Sequence, residues 1–274
     1  YVVLQNLQNN NNRIHEGNSI IGSRKAVKNN TELTGFREAM KKDGVALVEF
    51  LFWLRNSVGK KELNEYTIGR KLAEFRSNQK DFKGESFAPI VGYRQHGAVV
   101  HYNAEPDSAL PVESEGILLI DSGGQYPEGT TDITRTIALG NSTKKQKKDY
   151  TLVLKGMIAL TRARFPEGTK GCHLDVLARK PLWENGLNYG HGTGHGVGHF
   201  LNVHEGPASI RPDFNPVELK PGMVFSNEPG IYREGEYGIR IENLIVCVEK
   251  QETEFGNFLG FETLTLCLVN INLI

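Results

Sequence analysis

Four histidines and six glycines share the eighteen residues of "GHGTGHGVGHFLNVHEGP", positions 190–207. Imidazoles can bind metal or move protons, and glycines let a ligand come close to the backbone. Alone, the stretch is compatible with a phosphate loop, a zinc motif, or a site completed by acids from elsewhere. Two other stretches offer such acids. "LLIDSGGQYPEGTTDITRT" carries Asp121 and Asp132 on opposite arms of a Gly/Pro turn, and "VFSNEPGIYREGEYGIRIENLIV" carries Glu228 and Glu242 in the same relation. Leu118, Leu119 and Ile120 precede Asp121, and Ile239 and Ile241 flank Arg240 just before Glu242. Strand alternation in such runs aims some of the acids at a dry interior. Unpartnered burial of ionised carboxylates costs several kcal/mol each even after relaxation. Two divalent cations would neutralise all four charges.

Taken singly, each acid reads as a hairpin-turn residue facing water. The repetition in two hairpins, each beside glycines, is what argues for a dinuclear metal site rather than four separate ion pairs. Four carboxylates with one imidazole form a hard, oxygen-rich donor set, which favours Mn2+ over a structural zinc; Co2+, Fe2+ and Zn2+ are the alternatives. Rival chemistries lack their motifs. There is no HExxH, no GxSxG elbow and no GxxxxGK[ST] loop, and the glycines at 190, 192, 194, 196 and 198 alternate instead of following GxGxxG.

The order D-x10-D, glycine-flanked His, then Glu and Glu in "NEPGIY…GIRIEN" resembles the pita-bread metallopeptidases. Within them, "HGTGHGVGHFLNVHEGP" is similar to aminopeptidase P, the Xaa-Pro aminopeptidases, and the likeness runs from about Ser23 to "FETLTLC". The resemblance implies metal ligands Asp121, Asp132, His195, Glu228 and Glu242, with Asp132 and Glu242 bridging two ions. It further implies that Glu228 takes a proton from the attacking water and that His204 steadies the tetrahedral oxyanion. His191 would line the substrate pocket, His101 would be a further active-site histidine, and Tyr232 and Arg240 would orient Asp121. His96 and His199 match no family position and read as solvent or packing residues. The implied reaction is hydrolysis of the bond between a first residue and a proline at position two. An Xaa-Pro dipeptidase (prolidase), a methionine aminopeptidase of the same fold, and a non-catalytic peptide-binding module are the competing readings.

The elements that must position these residues are legible in outline. An Asn-rich stretch over 1–22 reads as a linker or the remnant of a preceding domain. A helix follows over 31–57, capped by Asn30 or Thr31, with Leu33, Phe36, Met40, Leu47 and Leu51 inward. A second covers 65–79 with Ile68, Leu72 and Phe75 inward. Strands are expected at "GAVVHY", "GILLID" and "TDITRTIAL". A third helix spans 144–164 with Ser142 as cap, and a fourth spans 173–184 with Pro181 near its end. Strands and turns complete the chain. The expected class is α+β, the pita-bread fold: two similar α+β halves around a curved antiparallel sheet, forming one catalytic domain over 23–274 that lacks the family's C-terminal extension.

The 274 residues carry no net charge, which gives no electrostatic footprint for nucleic acid or membrane. No apolar run approaches a membrane span of about 20 residues. Three scattered cysteines favour a reduced, cytoplasmic setting over a disulfide framework. Peptides with proline second, and a second copy of the chain as a homodimer, are the expected partners.

Overall fold

The computed structural model describes residues 5–7 and 19–274. Most of the linker expected over 1–22 therefore lies outside the described residues. Helix α1 (Ile20–Ala26) leads into the long α2 (Asn30–Ser57). The cap of α2 is Asn29, one residue earlier than expected, because Glu32 then stands at the position that completes a reciprocal capping box. Helix α3 (Glu65–Ser77) is capped in the same manner by Asn64. Thr143, not Ser142, caps α4 (Lys144–Thr161), again because the partner three residues on, Gln146, can answer it. Helix α5 (Gly171–Trp183) tolerates Pro181 in its last turn.

The strands are β1 (Gly84–Glu85), β2 (Ile90–Tyr93), β3 (Ile117–Ser122), β4 (Gly124–Tyr126), β5 (Gly129–Thr130), β6 (Ile133–Ala138) and β7 (Arg164–Pro166). They continue as β8 (Gly194–His195), β9 (Ser209–Ile210), β10 (Val224–Asn227), β11 (Gly230–Arg233), β12 (Tyr237–Arg240), β13 (Asn243–Thr253) and β14 (Gly256–Thr263). Every pairing is antiparallel, in the orders β2-β3-β6, β1-β4-β5, β10-β13-β14-β7, β11-β12 and β8-β9.

The α+β expectation with two related halves holds. In one half α2 and α3 lie against β2-β3-β6, burying Phe50, Leu54, Ile68, Leu72, Leu118 and Ile120. In the other, α4 and α5 lie against β10-β13-β14-β7 around Leu160, Leu174, Phe225, Ile245 and Leu259. Phe36 and Met40 of α2 reach across to Val224, Leu244 and Val246, fastening the halves together. Where the sheets meet, the backbone N–H of Glu242 donates to the Thr134 carbonyl at 3.1 Å. Next to it, the Thr136 hydroxyl donates to the Arg240 carbonyl and accepts from the Arg240 N–H. This seam joins strands that carry acids from both hairpins. Of the expected inward stripes, Leu33, Leu51 and Phe75 are only half-buried.

"GAVVHY" is not a strand. A 3-10 helix (Arg94–Ala98) and a turn occupy it, and the strand β2 comes earlier. Backbone-to-backbone approach explains the difference: a Cβ at Gly92 would sit 2.7 Å from the Gly97 Cα, and one at Gly238 would strike the Gly97 carbonyl. The chain folds back through these contacts. The fully buried Glu65 then gathers the loop by accepting from the N–H groups of Tyr93 and Leu110, the Tyr102 hydroxyl and His96 Nδ1. Among the described residues, no helix is long and apolar enough to cross a membrane.

Candidate metal centre

The four acids sit at strand ends, where the backbone leaves its ladder and a side chain can turn inward. Asp121 lies near the end of β3, Asp132 just before β6, Glu228 just after β10, and Glu242 between β12 and β13. His195 ends β8. All five face one cavity of about 380 Å³, whose wall also includes His101, His191, His204, Arg240, Arg211, Phe87, Val100 and Val203. Single ligand atoms of Asp132, His195 and Glu242 all lie within 4.8 Å of one another. His195 Nε2 is 3.3 Å from Asp132 Oδ2 and 3.5 Å from Glu228 Oε1. Its Nδ1 donates to the Gly196 carbonyl at 3.0 Å, which leaves Nε2 as the ring nitrogen that faces the acids.

The alternating glycines have a steric reason. A Cβ at Gly194 would collide with the Ser226 carbonyl, one at Gly196 with the Glu205 carbonyl, and one at Gly198 with the Leu201 carbonyl. The histidine segment is thus laid directly onto neighbouring backbone. Helix α5 braces its start: Arg179, paired with Asp175, donates to the Tyr189 and His191 carbonyls.

A hydrogen-bonded chain backs the acids. Arg240 donates through Nη2 to Asp121 Oδ2 at 2.6 Å, through Nη1 to the Tyr232 hydroxyl at 2.8 Å, and through Nε to Thr134 Oγ1 at 3.1 Å. The Thr134 hydroxyl in turn donates a hydrogen bond to Glu242 Oε2 at 2.7 Å. Having accepted from Arg240, the Tyr232 hydroxyl donates to His191 Nε2 at 2.8 Å. Arg240 meets Asp121 directly; Tyr232 is one step away, bonded to Arg240 and His191, and stands behind the cavity wall.

Asp121 Oδ1 is buried and has no hydrogen-bond partner. An orphaned carboxylate oxygen beside the buried Asp132 and Glu242 and the half-buried Glu228 is costly unless a cation supplies the missing partner. Burial, joined by the neighbouring carboxylates, pushes Asp132 up to about 6 and Glu228 up to about 7, and holds Glu242 well above the usual carboxylate range. Burial pulls His195 down, but Asp132 and Glu228 outweigh it and lift the imidazole to about 9. The donor set thus fits divalent cations, which would displace protons held by these groups.

This has a measurable consequence. The raised carboxylates bind more protons in the metal-free fold than in the unfolded chain, so stability falls as pH rises from their ordinary range through about 7. The raised His195 contributes stability below its ordinary value that is lost as pH climbs to about 9. Both act in one direction. The rise in melting temperature on adding Mn2+ should therefore be larger near about pH 7.5 than near about pH 5. Equal shifts at both values would contradict a cation site built on these acids.

His101 stands exposed on the turn at the rim, and His204 packs its ring 4.1 Å from that of His195. His199 packs edge-on against Phe36 and His96 is held by Glu65, which makes both packing residues. Two supporting residues escaped the sequence reading: Thr134, and Ser226, which accepts from the His195 N–H and donates to Glu228 Oε1. Each lies two residues from an acid, so the alternation of a strand would have placed them on the same face.

Residues 34–249 match metallopeptidase family M24. The chain is 48% identical over 261 residues to a probable Xaa-Pro aminopeptidase P of Botryotinia fuckeliana, covering 93% of this chain and 40% of that protein. Among solved structures it is similar to X-prolyl aminopeptidase from Caenorhabditis elegans, described as a cytosolic enzyme with a di-nuclear active site. The TM-score is 0.88 at 41% identity, over 93% of this chain and 42% of that one. X-Pro aminopeptidase from Thermotoga maritima superposes with a TM-score of 0.75 at 31% identity, over 89% of this chain and 64% of that one. The chain spans about two fifths of the length of the curated relatives it matches.

Proposed function

The chain belongs to metallopeptidase family M24, and from that premise we propose that it is the catalytic part of an Xaa-Pro aminopeptidase, acting as one domain over residues 23–274. The observation that carries the reading is the convergence of Asp121, Asp132, His195, Glu228 and Glu242 on one cavity, with a buried oxygen of Asp121 left for a cation. The similarity to Xaa-Pro aminopeptidases supports the substrate class.

In this reading Asp121, Asp132, His195, Glu228 and Glu242 would hold two divalent cations, Mn2+ by the hardness of the donor set. When bound, such ions polarise a carbonyl and acidify water toward neutral pH. The rest falls to side chains. Glu228, fixed by the Ser226 hydroxyl, receives the proton of the attacking water at its carboxylate. Burial and the neighbouring His195 hold the His204 imidazole below its ordinary value, so it is neutral at pH 7 and has an N–H to give the tetrahedral oxyanion. Burial and the nearby Arg240 lower His191 to about 4, and it stays neutral while accepting from Tyr232. His191 and His101 line the space where the peptide sits. A proline at position two offers no N–H, so recognition has to come from the shape of the walls, where Phe87, Val100 and Val203 supply apolar surface.

A cytoplasmic location and a homodimer complete the proposal. The test is a panel of peptides presented to the Mn2+-loaded chain. Release of the first residue from Xaa-Pro-Xaa is the expected result. Turnover of the dipeptide Xaa-Pro alone would assign the chain to the dipeptidases, and peptide binding without turnover in a metal-loaded chain would assign it to the non-catalytic modules.

A further inference from the structure

Arg135 lies one residue beyond Thr134 on β6, and 96% of its surface is buried, since its relative exposure is 4%. Its guanidinium group has five N–H donors, and the structure offers an acceptor for each. Nε donates to the Leu268 carbonyl at 3.0 Å. Nη1 donates to the carbonyls of Thr134 at 3.0 Å and Glu242 at 2.6 Å. Nη2 donates to Asn243 Oδ1 at 2.8 Å and to the Cys267 carbonyl at 2.7 Å. None of the five acceptors is a carboxylate. The residue is therefore a geometric junction and not an ion pair: one rigid fork joins β6, the backbone of Glu242 and the C-terminal segment.

Glu242 is gripped from three directions at this junction. Its N–H donates to the Thr134 carbonyl, its own carbonyl accepts from Arg135, and its carboxylate accepts from the Thr134 hydroxyl. The C-terminal segment closes the grip from outside. Leu268 and Ile271 point into solvent with relative exposures of 83% and 76%, while Cys267 and Val269 pack partly against the core. Polar groups of the same stretch tie it to Arg135 and Tyr150. The Cys267 and Leu268 carbonyls meet Arg135, and the Asn270 N–H donates to the Tyr150 hydroxyl at 2.9 Å. Leu273 then anchors the end, fully buried in the cluster of Tyr150, Ile231 and Ile239.

We infer that residues 267–273 form a strap that, through Arg135, holds the backbone of Glu242 where its carboxylate can serve the metal centre. The inference rests on Glu242 being a ligand, as proposed above. Arg135 and the strap are positioning elements that never touch the ions. Loosening either lets the Glu242 main chain drift, and outer-shell changes of this kind typically weaken metal binding by about 10–100-fold.

The experiment is calorimetric titration of the metal-free full chain with Mn2+, alongside thermal melting, for the parent chain and three variants. Arg135→Lys keeps a charge and loses the fork. Leu273→Ala undocks the strap without touching Arg135. Leu72→Ala, in the α3 core, is a control that creates a comparable cavity away from the strap. Arg135→Lys and Leu273→Ala should each weaken Mn2+ binding by about tenfold or more, while Leu72→Ala lowers the melting temperature and leaves affinity unchanged. If Arg135→Lys does not fold, Leu273→Ala decides alone. Parental affinity in a folded Leu273→Ala would overturn the inference, as would an equal loss of affinity in Leu72→Ala. A parent chain that binds no Mn2+ would instead overturn the metal-site reading and this inference with it, a result distinct from the other two.

Discussion

Glu242→Gln should abolish peptide hydrolysis and reduce bound Mn2+ from two ions to one or none. The side chain is almost wholly buried, shares its pocket with three other carboxylates, and already accepts a hydrogen bond from Thr134 on Oε2. The amide keeps the volume and that hydrogen bond but removes a negative charge, and it can turn an N–H2 toward the cations. Four carboxylates balance four positive charges; three do not, and the deficit falls on both ions if Glu242 bridges them. Equilibrium dialysis with metal analysis reads the stoichiometry directly. Two tightly held ions in a folded Glu242→Gln would remove the bridging role.

The second large effect separates two histidines nine positions apart. His195 is proposed to hold metal and His204 to steady the tetrahedral intermediate, although their rings are in contact. His204→Ala should keep its metal and lose kcat by about 10²-fold or more, the scale of a lost acid–base or oxyanion group. His195→Ala should lose metal affinity first, with activity partly restored at high Mn2+. Both lie on backbone packed through glycines, so circular dichroism and melting belong beside the kinetics to show that each variant is folded. If His204→Ala empties the site while His195→Ala leaves it filled, the two roles are reversed. An unchanged kcat in a folded, metal-replete His204→Ala would take that residue out of the mechanism.

Much of the centre was legible because its chemistry is local in sequence. Asp121 with Asp132, and Glu228 with Glu242, sit in two similar hairpins, and both hairpins place their acids where strands end. The glycines between histidines announced close approach, and the structure supplies the backbone carbonyls they approach. What escaped depends on contacts distant in sequence. "GAVVHY" has the apolar, β-branched look of a strand, but Gly97 packs against Gly238, and Glu65 draws in donors from both ends of the loop. The helix caps shifted by one residue for a subtler reason. Several capping residues stood in a row, and only the one with an answering side chain three positions on was used. Arg135 reads as an ordinary strand arginine until the C-terminal segment, more than a hundred residues away, is laid beside it.

We propose this cavity as a metal-dependent site selective for proline at position two. Its most direct test is the rate of first-residue release from Xaa-Pro-Xaa and from the matched Xaa-Ala-Xaa, measured on the folded chain across a Mn2+ titration. Cleavage should appear only as Mn2+ saturates the site, and only for the proline peptide. Equal rates on the two peptides, or cleavage that persists undiminished with metal chelated, would contradict it.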